Sequence, residues 1–117
     1  MPIPRPPIVQ LTTAAASEDE AAALADLLLT NRLAACVQVV GPVRSRYWWQ
    51  GRIESATEWL CVAKTTAGQL DAAVGALKSA HSYDVPEIAA TPVVGGLEPY
   101  LRWVAAEATG PGSGPCS

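Results

Sequence analysis

The sequence predicts an α+β domain with the element order β-α-β-β-α-β and one further helix at its C-terminal end. Three observations carry that expectation. Two apolar runs of period two meet at Gln50-Gly51, two stretches of helical apolar spacing each follow a capping signal, and short strand-like runs lie near both ends. At 117 residues there is room for one domain with one core.

Residues 1–7 are proline-rich and are expected to be extended, flexible and loosely held. Ile8 to Thr13 alternates Ile8, Gln10 and Thr12 against Val9 and Leu11, which reads as a short strand. Ser17-Glu-Asp-Glu20 matches a capping box, in which the serine oxygen and the later glutamate each satisfy an orphan amide. Ala21, Leu24, Ala25, Leu28 and Leu29 then recur at helical spacing, so a helix is expected over about 18–31, with Asn31 near its end.

Next comes a long hairpin from about 35 to 65. Val37, Val39, Val43, Ser45, Tyr47 and Trp49 fall on a period of two, as do Ile53, Ser55, Thr57, Trp59, Cys61 and Ala63. Gln50-Gly51 suits a tight two-residue turn because glycine accepts positive φ. Each arm spans about fourteen residues, roughly 45 Å at about 3.3 Å per residue. Gly41-Pro42 interrupts the first arm, and the missing amide and side chain predict a bulge or bend there. A hairpin of that length overruns a small domain, and its tip carries Tyr47, Trp48 and Trp49, which asks for a partner copy.

Thr66-Ala-Gly-Gln69 resembles a second capping box, and Leu70, Ala73, Val74 and Leu77 supply the stripe of a helix ending near His81. Pro86 to Val94 reads as a strand whose prolines suit an edge or the strand margins. Gly95-Gly96 is a turn, and Leu97 to Ala108 is a final short helix. The domain therefore covers 8–108, and 109–117 is a Gly/Pro/Ser tail expected to be disordered. The order is the split βαβ, ferredoxin-like arrangement, with two helices on one face of an antiparallel sheet.

Composition narrows the function classes. Half of the residues are apolar and only 16% are charged, so some apolar surface should meet other subunits. A net charge of −3 and scattered arginines leave no basic footprint for nucleic acid. No apolar run reaches the roughly eighteen residues of a membrane span, and the first residues carry no signal-peptide core, so no membrane partner is expected and the expected compartment is the cytoplasm. Three cysteines, Cys36, Cys61 and Cys116, include no Cys-x-x-Cys pair; Cys36 and Cys61 sit in strand-like apolar surroundings that favour buried, inert thiols.

Few residues remain to carry chemistry. His81, the only histidine, sits at a helix C-terminus and reads either as a capping residue or as one metal ligand. Lys64 and Glu87 could pair as a salt bridge or jointly hold a ligand. Tyr47, Trp49, Trp59, Tyr100 and Trp103 lie on alternating or helical spacing and read as core or subunit interface. Phosphate loops, Gly-x-Ser-x-Gly, His-Glu-x-x-His and a second histidine for a triad are all missing from the sequence.

The words of the sequence also match a known family. Leu33-Ala-Ala-Cys36-Val37, Ser45-Arg-Tyr47-Trp48-Trp49-Gln-Gly51-Arg-Ile53-Glu54, Glu58, Lys64-Thr65, His81-Ser-Tyr83-Asp-Val85-Pro86-Glu87-Ile88, Pro92-Val93 and Tyr100-Leu101-Arg-Trp103 occur in order. On these the chain closely resembles the CutA divalent-cation tolerance proteins, over about 8–107. The resemblance implies a homotrimer whose long hairpins reach onto neighbours, with Tyr47, Trp48, Trp49 and Trp59 at the interface. It implies that Tyr47, Glu58, Lys64, His81, Tyr83 and Glu87 gather near clefts between subunits, and a link to copper and other divalent cations. The chain departs from some bacterial relatives by carrying Thr12-Thr13 where they have a cysteine, and Ala80-His81-Ser82-Tyr83 where they have paired histidines and His-Pro-Tyr. That removes the soft thiolate Cu(I) prefers and leaves His81 with Glu87 as the nitrogen/oxygen set for a cation such as Cu or Zn.

The expected function is thus a trimeric, non-enzymatic protein of metal tolerance or small-ligand signalling. The alternative is a PII-like trimer binding a nucleotide or metabolite, although the tight turn at Gln50-Gly51 stands where such proteins carry a long loop. An acylphosphatase would need an arginine cradle in a glycine-rich loop after the first strand, and a copper chaperone a thiolate pair; neither is present in the sequence.

Overall fold

A computed structural model describes residues 4–112. The elements are β1 (Ile8–Ala15), α1 (Glu18–Thr30), β2 (Cys36–Trp49), β3 (Arg52–Thr66), α2 (Leu70–Ala80), β4 (Ile88–Val93) and α3 (Glu98–Glu107). They form one antiparallel sheet in the order β2-β3-β1-β4, the ferredoxin-like order that the sequence predicts. Among the described residues no helix is long and apolar enough to cross a membrane.

Alternation along β1 and β3 divides the sheet into two faces. Leu11, Ala15, Cys61 and Ala63 point to the face covered by α1 and α2, where Leu24, Leu28, Ala73 and Leu77 complete the core. Ile8 points the other way and packs with Leu101 and Val104 of α3, so the third helix closes one end of the opposite face. The remainder of that second face carries no helix, and it holds the site described below.

Helix α1 begins as predicted, but with one change. Ser17 Oγ accepts from the Glu20 amide at 3.1 Å, whereas the Glu20 carboxylate reaches back to the Ala16 amide rather than that of Ser17. The helix ends at Asn31, and Arg32 takes positive φ (53°) beyond it. The Leu33 and Arg32 amides donate back to Leu28 and Leu29 carbonyls, which satisfies the helix end in the Schellman manner. The second capping box does not form: a 3-10 turn (Ala67–Gln69) leads into α2, with no side-chain cap at Thr66 or Gln69.

The chain ends are tied in more than their composition suggests. Arg5 pairs with Glu98 at 3.1 Å, and the Pro7 carbonyl accepts from Ala67. Gly110 donates to the Arg32 carbonyl. Residues 1–3 and 113–117, with Cys116 and most of the expected tail, lie outside the described residues.

The hairpin is the dominant feature, and the described residues extend over 54 × 29 × 21 Å. Its turn has positive φ at both Gln50 (50°) and Gly51 (78°), the mirror-image turn that follows the right-handed twist of the strands. Val40 pairs with Leu60 but Val43 with Glu58, so Gly41 and Pro42 together face Trp59 in a bulge. A Cβ at position 41 would run into the Trp59 indole, so only glycine fits beneath that ring.

The bulge corrects the expected alternation of β2. Val37 shares the helix face with its partner Ala63 and packs on that core, and Val39 pairs with Cys61 on the same face. Val43, Ser45 and Tyr47 pair with Glu58, Ala56 and Glu54, which point the opposite way. The two sets of apolar residues that look continuous in sequence therefore lie on different faces. Strand β3 has no bulge and keeps its alternation from Ile53 to Ala63.

Candidate functional site

Three elements converge beyond the uncovered end of the sheet. Strand β3 contributes Glu58, the far half of β2 contributes Ser45, Tyr47 and Trp49, and the loop after α2 contributes Tyr83, Asp84, Val85 and Glu87. With Ala14 and Arg46 they enclose an open cleft of about 740 Å³.

Glu58 is its centre. It is only 8% exposed, and the Tyr83 phenol donates to its Oε2 at 2.9 Å. Its Oε1 has no hydrogen-bond partner among the described residues. Burial, and then the bond to the Glu58 carboxylate, push the Tyr83 phenol up to about 12. Tyr83 therefore remains a proton donor to Glu58 across the neutral range. Asp84 and Glu87 stand exposed at the cleft mouth, and Arg46 is the one basic side chain lining it.

Behind the same loop lies a second polar cluster. The His81 side chain is fully buried; Nε2 donates to the Ala14 carbonyl at 2.8 Å and Nδ1 accepts from the Tyr83 amide at 3.2 Å. This pattern fixes the neutral Nε2–H tautomer. The Glu20 carboxylate accepts from the Ser82 amide, the Ser82 hydroxyl and the Ala16 amide, and sits 3.8 Å from His81 Nδ1. Burial works to raise the Glu20 pKa, but the bonds from Ser82 and Ala16 outweigh it and hold the carboxyl below its ordinary value.

Within one chain, the structure brings together four of the six residues expected in the cleft: Tyr47, Glu58, Tyr83 and Glu87. His81 is not among the lining residues, and both of its nitrogens are spent on the backbone. Within one chain the expected His81/Glu87 metal pair is therefore not assembled, and the histidine side chain ties the loop to β1 rather than capping the carbonyls of α2. Among the described residues no three His, Cys, Asp or Glu side chains are grouped to hold one ion. Lys64 also stands apart. It pairs with Cys36 and Gln10, six residues along β3 from Glu58, roughly 20 Å at about 3.3 Å per residue. No salt bridge joins it to Glu87 among the described residues.

Of the expected interface aromatics, Tyr47, Trp48 and Trp49 are exposed by 42%, 73% and 58%. Trp59 is half-buried, packs on the helix-side core and covers Gly41. Cys61 is buried, with its thiol 3.2 Å from the Ala21 carbonyl, as expected. Cys36 is only half-buried and meets the Tyr100 hydroxyl at 3.4 Å, a contact that with burial lifts that phenol to about 12.

Ser45, Arg46, Asp84 and Glu20 were not singled out for the site from the sequence. The first three could have been found once the hairpin and the 81–88 loop were placed side by side. Glu20 was visible only as a helix cap, because nothing in one-dimensional spacing links it to Ser82.

Comparison with known proteins agrees with this architecture. The family profile described as CutA1 divalent ion tolerance protein matches residues 8–107. The divalent-cation tolerance protein CutA of Archaeoglobus fulgidus is 40% identical over 90 residues, which cover 77% of this chain and 87% of that protein. The rice protein CutA 1, chloroplastic, is 42% identical over 81 residues, 69% of this chain. The matched part spans under half of that rice protein, 46% of its length. The solved structure of the divalent cation tolerance protein Cut A1 of Thermus thermophilus superposes with a TM-score of 0.84 at 35% identity, covering 86% of this chain and 97% of that one. These matches favour the divalent-cation reading of the sequence over the PII-like alternative.

Proposed function

The chain belongs to the CutA1 divalent ion tolerance family, and from that premise we propose a trimeric, non-enzymatic protein of divalent-cation tolerance that takes a copper or other metal ion, or a small ligand, in three equivalent clefts between subunits. The observation that carries this reading is Glu58. A largely buried carboxylate, held through one oxygen by Tyr83 and with the other open to the cleft, keeps a fixed acceptor free for a ligand.

The tip of the hairpin supports the assembly. Trp48, Trp49, Ile53 and Tyr47 form an apolar end more exposed than a small monomer tolerates, and a neighbouring copy would cover it. No nucleic acid or membrane is part of the reading, since the net charge is −3 and the cleft lining is acidic.

Equilibrium dialysis against Cu(II), Zn(II) and a panel of small metabolites tests the cleft. Saturable binding that is lost in Glu58→Ala is expected; no saturable binding of anything would overturn it. Light scattering tests the assembly separately, with three times the chain mass expected and a clean monomer refuting it.

A further inference from the structure

The lining of the cleft carries more information than its acidity. Three carboxylates face it, Glu58, Asp84 and Glu87, against one guanidinium. Arg46 stands at the rim, where it also lines a shallow depression with Trp48 and Ile53. The carboxylates are not grouped closely enough to share one ion, and a divalent cation needs its oxygen ligands at about 2–2.6 Å. Yet the same lining holds three aromatic rings, Tyr47, Trp49 and Tyr83, in a space of about 740 Å³. Separated negative charges with π-faces between them suit a cation that is larger than a metal ion and partly apolar. Ammonium groups are held this way, by ring quadrupoles and by a carboxylate that accepts their hydrogen bonds.

We infer that this cleft binds an organic ammonium cation, with the unpartnered Glu58 Oε1 accepting from the ammonium and the three rings covering its carbon body. Tyr83 has a positioning role. Its phenol holds Glu58 Oε2, which leaves Oε1 turned to the ligand. Glu87 and Asp84, exposed at the mouth, supply a weaker field that draws cations in. The inference rests on the reading that the cleft is a ligand site and adds the chemical class.

The test is a titration followed by the NMR signals of the Tyr83 amide and the Trp49 indole N–H, with four probes: phenethylammonium, 2-phenylethanol, phenylacetate and Zn(II). Phenethylammonium should shift both signals and bind at least about tenfold tighter than the neutral alcohol. Glu58→Gln should lower its affinity about tenfold, and Glu87→Gln, an exposed position, about threefold with the fold untouched. If the alcohol or phenylacetate binds as well as the ammonium, or if only Zn(II) moves the two signals, the ammonium class fails and the cleft remains a ligand site. If no probe moves them, both readings fall.

Discussion

The loop from His81 to Glu87 has two sides, and they treat polar groups in opposite ways. On the inner side, both His81 nitrogens are bonded, and the Glu20 carboxylate accepts three hydrogen bonds. On the outer side, Glu58 has one bond and one bare oxygen. Both carboxylates are largely withdrawn from water. A saturated network has nothing left to offer a ligand, so it acts as a clamp that fixes where the loop leaves α2. The unsaturated one retains capacity for a guest, and it is held in position because the clamp behind it is complete.

Substitutions on each side should separate the two roles. His81→Ala should do the most damage: it empties a buried site and strips partners from the Ala14 carbonyl and the Tyr83 amide, about 3 kcal/mol by urea unfolding. A loss under about 1 kcal/mol would break the distinction. Glu20→Gln should cost about 2 kcal/mol at pH 7. Because the folded carboxyl sits below its ordinary value of 4.5, its contribution is present above that value and lost as pH falls through the lower folded one. The acid limb of stability against pH should therefore flatten in Glu20→Gln, and an unchanged limb would assign acid sensitivity elsewhere.

On the cleft side the expected effects shrink. Tyr83→Phe should cost about 1 kcal/mol. Tyr83 and Tyr100 are both raised to about 12, so ultraviolet titration should find two late-ionising phenols in the parent and one in this variant. The raised value means that stability due to Tyr83 is whole below pH 10 and fades as pH climbs toward 12. Glu58→Gln should change stability least, under about 0.5 kcal/mol, since the amide oxygen still accepts from Tyr83. Its effect should appear in ligand binding alone.

That difference also marks how far the sequence could be read. Helix α1, the hairpin turn and the final helix follow from local signals of capping, turn chemistry and periodicity, and the sheet order from the order of those elements. Glu58, Tyr83 and Glu87 came from family resemblance, and the structure joins the first two through a loop and a strand 25 residues apart. The same resemblance names Lys64 and His81. Within one chain, Lys64 shares the face of Glu58 but lies six residues farther along β3, and the turn after α2 carries His81 inside. The face of each half of β2 was misread for a similar reason, since a bulge adds a residue without disturbing the apparent alternation.

That added residue has a consequence for how the protein can vary. Strand parity is binary, so the two residues facing Trp59 act as a one-bit setting for everything beyond them. Were Gly41 and Pro42 both paired in a regular ladder, Val43 would meet Thr57, and Ser45, Tyr47 and Trp49 would turn to the helix side of the sheet. The aromatic wall would then vanish from the cleft without a single aromatic being lost. Deleting one of the two should instead leave Val43 opposite Glu58 and the wall in place, removing only the local bend. Across the relatives of this chain, a one-residue gap there should thus keep the cleft, whereas a sequence that lets the ladder run on through both residues should belong to a protein whose cleft has changed its trade.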